Sequence, residues 1–273
     1  MIRTAQRTLY GIDLQLHQLL GKQYAALPNT TLNEKFGILA GEPCPLGVYP
    51  TLKYFCIGIG GNLSVEHEDK FNYSEHSPID AALFQHIPFV IREVTNDLTP
   101  DERLNYRFRC IENIFGNEYV CYYLKLLPGN NIKEYFHTIK TVSTGDEVGI
   151  PTLLIQDTSK PEILNPVPKI RSVRFNAAEQ LYATKIASID YSFTEAEIKD
   201  IKKAIEIKKL DGKAITEVGL CSGLDMPYSN YTESICTQIV FHFGITLPLM
   251  MDIEIGKDVK RSIEIGGAEP LLC

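Results

Sequence analysis

The chain is 273 residues long, 44% hydrophobic and 22% charged, with a formal net charge of −7. That length buries a core in one large domain or two modest ones, and the composition excludes a disordered or fibrous chain. The acidic balance offers no clustered Lys and Arg for phosphate backbones, so no specific nucleic-acid partner is expected.

No apolar run approaches the roughly 20 residues needed to span a bilayer, so no membrane partner is expected either. The opening "MIRTAQRTLYGIDLQL" lacks the continuous apolar core of a secretion signal, and the chain is expected to stay where it is made. Its seven cysteines are widely spaced with no CxxC, which favours buried free thiols over a zinc ribbon or a disulfide scaffold.

In chain order, the first predicted element is a helix. Leu9, Ile12, Leu16, Leu19 and Leu20 fall at helical spacing, with Gln15, Gln18 and Lys22 around the other side and Gly21 as a C-cap. The apolar stripe is expected to pack on the chain's own core or on a neighbouring subunit. Residues 37–62 carry nine glycines and prolines and end in "LKYFCIGIGGN", which predicts loop, strand and glycine turn.

The segment "DERLNYRFRCIENIFGNEYVCYYLKLL" predicts a hairpin. Tyr106, Phe108 and Cys110 alternate with Arg107 and Arg109, Gly116-Asn117 turns the chain, and Val120 to Leu127 returns. "QDTSKPEILNPVPK" holds three prolines in fourteen residues and reads as an extended connector. A second helix starts at a capping box, Thr194 with Glu197, and carries Ile198, Ile201 and Ile205 as its apolar stripe. Lys199, Lys202 and Lys203 form its solvated face. A strand around "ITEVGL" is expected to lead into an exposed loop, "CSGLDMPYSNYTES", and then the strand "ICTQIVFHF". In "LMMDIEIGKDVKRSIEIGG" a last hairpin is predicted. Met251, Ile253 and Ile255 share one face, Gly256-Lys257-Asp258 turns, and Ile263 and Ile265 return.

The fold class expected from these elements is mainly β (α+β), with antiparallel β-sandwich-like sheets, an N-terminal helix and one further helix. The expected organisation is an N-terminal helix and Gly/Pro-rich arm over 1–62, a first β-rich region over 63–155, and a second β-rich domain over 156–273 with the helix 195–208.

Chemistry-bearing residues are sparse. "EHEDKFNYSEH" gathers Glu66, His67, Glu68, Asp69, Glu75 and His76, but the two imidazoles are nine positions apart without the one-face register of HExxH, and a solvated polar loop is the simpler reading. "CIGIGGN" follows a strand as a phosphate loop does, yet has neither a Lys-Ser/Thr pair nor a helix behind it. Cys221 as a nucleophile needs a base, and His242 on the following strand is the candidate; no helix follows to make a nucleophile elbow. No catalytic, cofactor-binding or metal-ligating residue is therefore assigned, and no cofactor is expected.

The order of "KLDGKAITEVGL", variable loop, "ICTQIVFHF" ending in alternating aromatics, and terminal strands resembles structural proteins of tailed bacteriophages. It covers roughly the last eighty residues. "HSPIDAALFQHIPFVIRE" and "EYVCYYLKLL" are similar in flavour to virion proteins of contractile-tailed phages.

The resemblance implies a non-enzymatic virion protein of the neck, collar, tail or baseplate, assembled in the bacterial host cytoplasm. It implies a ring made with copies of itself and docking on other phage tail proteins. Two alternatives belong to other classes: a hydrolase-like enzyme with a His/Cys or His/carboxylate site in residues 66–86 or 221–242, and a carbohydrate-binding β-module. The fourteen tyrosines favour the module and the absence of Trp disfavours it. Cys221 and Cys236 are expected to lie near each other if their strands pair, and Cys273 is a candidate for crosslinking subunits outside the cell.

Overall fold

The computed structural model describes residues 3–4, 6–25, 43–60, 62–63, 72–73, 76–127, 132–142, 152–153, 179–210, 214–227, 234–250 and 259–270. Two short strands, β1 (Arg3–Thr4) and β2 (Gln6–Arg7), precede helix α1 (Leu9–Leu20). Then come β3 (Thr51–Gly58), β4 (Asn62–Leu63), β5 (Asn72–Tyr73), β6 (His86–Ile87), β7 (Val90–Glu93), a 3-10 turn (Val94–Asn96) and the short helix α2 (Pro100–Arg103). Two long strands, β8 (Tyr106–Ile114) and β9 (Asn117–Leu126), are followed by β10 (Ile132–Val142), β11 (Thr152–Leu153) and β12 (Glu179–Phe193). Helix α3 (Glu195–Ile207) leads to β13 (Ala214–Pro227), β14 (Ser234–Met250) and β15 (Val259–Pro270).

The fold is mainly β, of the α+β kind, with antiparallel sheets, the N-terminal helix and few other helices. One sheet has eight strands along the path β2-β14-β13-β3-β9-β7, with β6 on β3 and β8 on β9. A five-stranded sheet runs β1-β15-β12-β10-β11, in which β1 and β15 are parallel. The chain divides into two compact units: one of residues 1–4, 130–190 and 262–273, the other of residues 5–129 and 191–261. The second holds the eight-stranded sheet's core and, among the described residues, the helices α1, α2 and α3.

At the centre of that unit, β3 is buried without interruption from Tyr54 to Gly58, so both of its faces are covered. Phe55 packs edge-on to Phe89, with ring centroids 5.0 Å apart, and also touches Tyr191 and Phe193. Tyr54 and Cys56 face the other way, into a cluster with Ile91, Tyr123, Leu124 and Cys221 that Ala204 and Ile207 of α3 help to cover.

Helix α3 follows the predicted capping box. The Thr194 side chain accepts from the Glu197 amide, and the Glu197 carboxylate accepts from the Thr194 amide at 2.7 Å. Glu197 does more than cap, because it is buried and also accepts from Tyr106 Oη at 2.5 Å and Lys125 Nζ at 2.7 Å. Asp200 pairs with Arg92 on β7, and Lys208 donates to Glu112 on β8 and to Tyr123 Oη on β9. The helix is thus tied to the sheet at three polar points along its length.

Two expectations change. The β8–β9 hairpin turns one residue earlier than predicted: Ile114 pairs with Asn117, and Phe115-Gly116, both with positive φ (50° and 89°), make the tight turn whose twist matches the strands. The stretch 221–227 is strand rather than loop. β13 pairs with β14 as far as Pro227 and with β3 as far as Gly223, and its ladder with β14 shifts register at Leu220/Cys221 and Leu224/Asp225. Pairing, on both edges as far as Gly223 and with β14 alone beyond it, outweighs the weak strand preference of Gly, Ser and Asp.

Helix α1 forms as predicted, with Gly21 as a left-handed C-cap and Thr8 as N-cap; Gly11 and Leu14 are its buried residues, and the predicted stripe faces outward. β14 and β15 lie in different sheets. Met251, Ile253, Ile255 and the Gly256-Lys257-Asp258 turn lie outside the described residues, as do the proline-rich connector, Tyr228, Tyr231 and Cys273.

The triple role of Glu197 generates a ranking. Thr194→Ala removes one cap bond and is expected to cost about 1 kcal/mol. Glu197→Ala removes the reciprocal bond and strands Lys125 and Tyr106 in the core, for about 3–5 kcal/mol. Urea unfolding of both variants checks the order, and equal costs would mean that the Lys125 and Tyr106 contacts contribute nothing.

Candidate functional site

The most deeply buried carboxylate among the described residues is Glu217, inside the β13 stretch "ITEVGL". It has no solvent exposure. Its Oε1 accepts from His76 Nε2 at 2.9 Å and from the Phe84 amide at 2.7 Å. Its Oε2 accepts from the Gly60 amide at 2.8 Å and the Gln85 amide at 3.2 Å. Four donors from three stretches of chain converge on one carboxylate.

His76 is the bridge to a second carboxylate. Its Nδ1 lies 3.0 Å from Asp80 Oδ2, which also accepts from the Ser77 amide at 2.9 Å. The imidazole stacks on the Phe84 ring, centroids 4.2 Å apart. Burial pulls its pKa down, but the hydrogen bonds and charges of Glu217 and Asp80 outweigh that and hold it above the ordinary 6.5. A protonated ring donating to both carboxylates is the state this geometry favours.

The glycine turn after β3 exists for this carboxylate. A Cβ on Gly58 would lie 2.5 Å from both Gln85 O and Glu217 Oε2, and one on Gly60 would lie 2.6 Å from the Phe84 Cβ. Only glycine lets the backbone come this near. "CIGIGGN" therefore cradles an internal carboxylate rather than a phosphate.

The other predicted residues sort plainly. His76 is part of the cluster, while Glu66, His67, Glu68, Asp69 and Glu75 lie outside the described residues. Among the described residues no group of three or more His, Cys, Asp or Glu is placed to hold a metal ion. Cys221 is fully buried, its Sγ 3.7 Å from Cys56 Sγ, and it donates to Gly219 O. A thiol enclosed in this way meets no substrate.

Cys236 stands opposite Asp225, farther along the ladder, so the expected neighbour of Cys221 is replaced by Cys56. His242 is the extra residue where Leu220 pairs with Phe243 and Cys221 with Phe241. On β8 and β9 a further thiol pair is directly opposed, Cys110 and Cys121, and burial pushes the Cys121 thiol up to about 12. Thiols raised this far stay protonated and unreactive.

Glu217 is the residue that motif reasoning passes over. Its signal is a lone carboxylate within an apolar run, "AITEVGL", where a buried strand tolerates a charge only if donors surround it. Those donors sit some 130 to 160 positions earlier and belong to no motif.

Residues 2–273 match DUF7208, a family of unknown function, and the chain belongs to it. No curated protein and no solved structure matches the chain.

Two outcomes follow from the cluster. Glu217→Ala leaves a buried imidazolium and three amides without their acceptor and is expected to cost about 3–5 kcal/mol in chemical denaturation. An unchanged unfolding midpoint would mean that water replaces the carboxylate at no cost. The second outcome concerns pH. Because His76 titrates higher folded than unfolded, its contribution is complete below about pH 6.5 and is lost as pH rises through its folded value. The melting temperature should therefore fall as pH is raised from 6.5 upward, and His76→Gln should flatten that slope. Identical slopes in the two proteins would assign the dependence elsewhere.

Proposed function

We propose that this DUF7208 chain is a structural protein of a tailed-phage virion. It forms a symmetric ring in the neck, collar or baseplate and docks on other tail proteins. The observation that carries this reading is the use made of Glu217. The strand that resembles tail proteins, "ITEVGL", spends its one carboxylate on four internal donors and so welds the centre of the sheet to the segment around residues 76–87. A subunit that transmits force through repeated contacts gains from such internal rigidity, and a ring needs no turnover at any site.

The hydrolase alternative asks His76 to exchange protons with a substrate. Both of its nitrogens and both oxygens of Glu217 are engaged by the chain itself, and the ring is 5% exposed. A general base has to reach the proton it abstracts, so this geometry favours support over catalysis.

Negative-stain images of the purified full-length protein test the proposal. Closed rings are expected, and they should persist in His76→Gln at a pH where the variant remains folded. Compact particles without symmetry, together with an esterase or glycosidase activity lost in His76→Gln, would overturn it.

A further inference from the structure

The start of helix α1 is seated on a turn that one imidazole holds closed. The turn is fastened twice: the Asp80 amide donates to Ser77 O at 2.9 Å, and the Ser77 amide donates to Asp80 Oδ2 at 2.9 Å. It presents two carbonyls to the helix. Pro78 O accepts from the Leu9 amide at 2.8 Å, and Ile79 O accepts from Tyr10 Oη at 3.3 Å. An amide in the first turn of a helix finds no acceptor within the helix, so the Leu9 amide depends on this outside carbonyl.

The Asp80 oxygen that closes the turn also meets His76 Nδ1 at 3.0 Å, while His76 Nε2 lies 2.9 Å from Glu217 Oε1. Among the described residues neither carboxylate pairs with a lysine or arginine, so both depend on this ring for a countercharge. Around the bridge, β13 brings Glu217 and the turn brings Asp80. Helix α1 brings Tyr10, bonded to Ile79 O, and Asp13 and His17, which are 3.3 Å apart; β6 brings His86; Gly58 and Gly60 bring no charge.

We propose that the 77–80 turn is a pH-operated seat for α1: loss of the proton on His76 Nδ1 frees Asp80, opens the turn and loosens the first turn of the helix, while Nε2 stays bonded to Glu217. Burial selects the nitrogen. A neutral imidazole donates from one nitrogen and presents a lone pair at the other. At Nε2 that lone pair would face an oxygen with no way to water, because the Glu217 side chain is 0% exposed and held by three amides. At Nδ1 it faces Asp80, 27% exposed, which can turn outward and through which the proton leaves to solvent.

When Asp80 turns away, the Ser77 amide loses its acceptor, and the carbonyls of Pro78 and Ile79 lose their fixed aim at α1. The two carboxylates hold the ring above the ordinary 6.5, so the seat is closed below that pH and opens as pH rises through the folded value. The opening is local, confined to the turn and the helix start, and it holds whatever the chain assembles into.

NMR of the full-length protein between about pH 5.5 and about pH 9 tests the proposal with two readouts. The first is the tautomer, read from long-range couplings between the ring protons and the two ring nitrogens; the neutral ring should carry its proton on Nε2. The second is amide exchange, corrected for the intrinsic rate at each pH. Protection of Leu9 and Ser77 should fall by roughly tenfold as His76 titrates, with Phe84, bonded to Glu217, and Ile201, in α3, unchanged. Asp80→Asn should remove the dependence at Leu9, since its amide group can donate to the neutral nitrogen or accept from the charged one. A neutral ring protonated on Nδ1 overturns the proposal. So does Leu9 protection that stays level across the titration, or that falls in step with Phe84 and Ile201, which would be a general opening. An Asp80→Asn variant that keeps the wild-type dependence assigns it to another group and overturns the proposal as well.

Discussion

A carboxylate with no access to water sits in the central strand of the larger sheet, and much of the surrounding geometry is a response to it. Removing an ion of that size from water costs several kcal/mol even after relaxation, so Glu217 is tolerable only with its acceptors filled. Its donors come from the glycine turn behind β3, from His76, and from the amides of Phe84 and Gln85 just before β6. Satisfying it therefore fixes three stretches of chain at once. The β3–β13 register, the bare glycine at position 58 and the pairing of β6 with β3 belong to a single packing problem. The constraint extends outward, because the segment that carries His76 and Asp80 also supplies the carbonyls of Pro78 and Ile79 that receive the start of α1.

Helix α3 is held by a second set of buried polar groups, built on a different logic. Glu197, Asp200 and Lys208 each reach a strand residue of the opposite kind, Lys125, Arg92 and Glu112. In Tyr123, burial and then the neighbouring Glu112 push the phenol far above its ordinary range, while Glu112 itself, despite burial, is held low by Lys208 and Tyr123. Apolar packing of Ile201 and Ala204 supplies the area, and the ion pairs set where along the sheet the helix comes to rest. Slippage by one turn would leave two buried carboxylates, Glu197 and Asp200, unpaired. That makes the polar groups a device for register more than for net stability.

Local signals were legible wherever the physics is local. Thr194 with Glu197, and Gly21 after a periodic run, mark helix ends because capping bonds span three or four residues. The β8–β9 hairpin was visible from alternation, although Phe115 rather than Asn117 takes the second unusual backbone angle, a choice that no propensity rule favours. What stayed hidden is set by distant partners. Nothing near residues 221–227 announces that β14 pairs along the whole stretch and β3 along its first three residues, so its glycine, serine and aspartate read as loop. His76 stood out only as one histidine in an acidic stretch; its partner Glu217 lies 141 residues away. The spacing of the α1 leucines gave the helix and its stripe, but periodicity does not say which face the core will use. Here the core takes the face with Gly11 and Leu14.

That last choice ties the site to the surface. A helix that buried its leucine stripe would have no apolar face left to offer, whereas this one is seated on a glycine and one leucine and keeps five large side chains outside. Exposing them is costly for a lone subunit, since each would gain about 1.5–3 kcal/mol from full burial. The helix is nevertheless rigidly placed: Thr8 and Gly21 cap it, Pro78 and Ile79 hold its first turn, and Pro50 and Tyr49 hold its last. The carboxylate at the centre of the sheet contributes to that indirectly, by anchoring through His76 the segment on which the first turn of α1 rests.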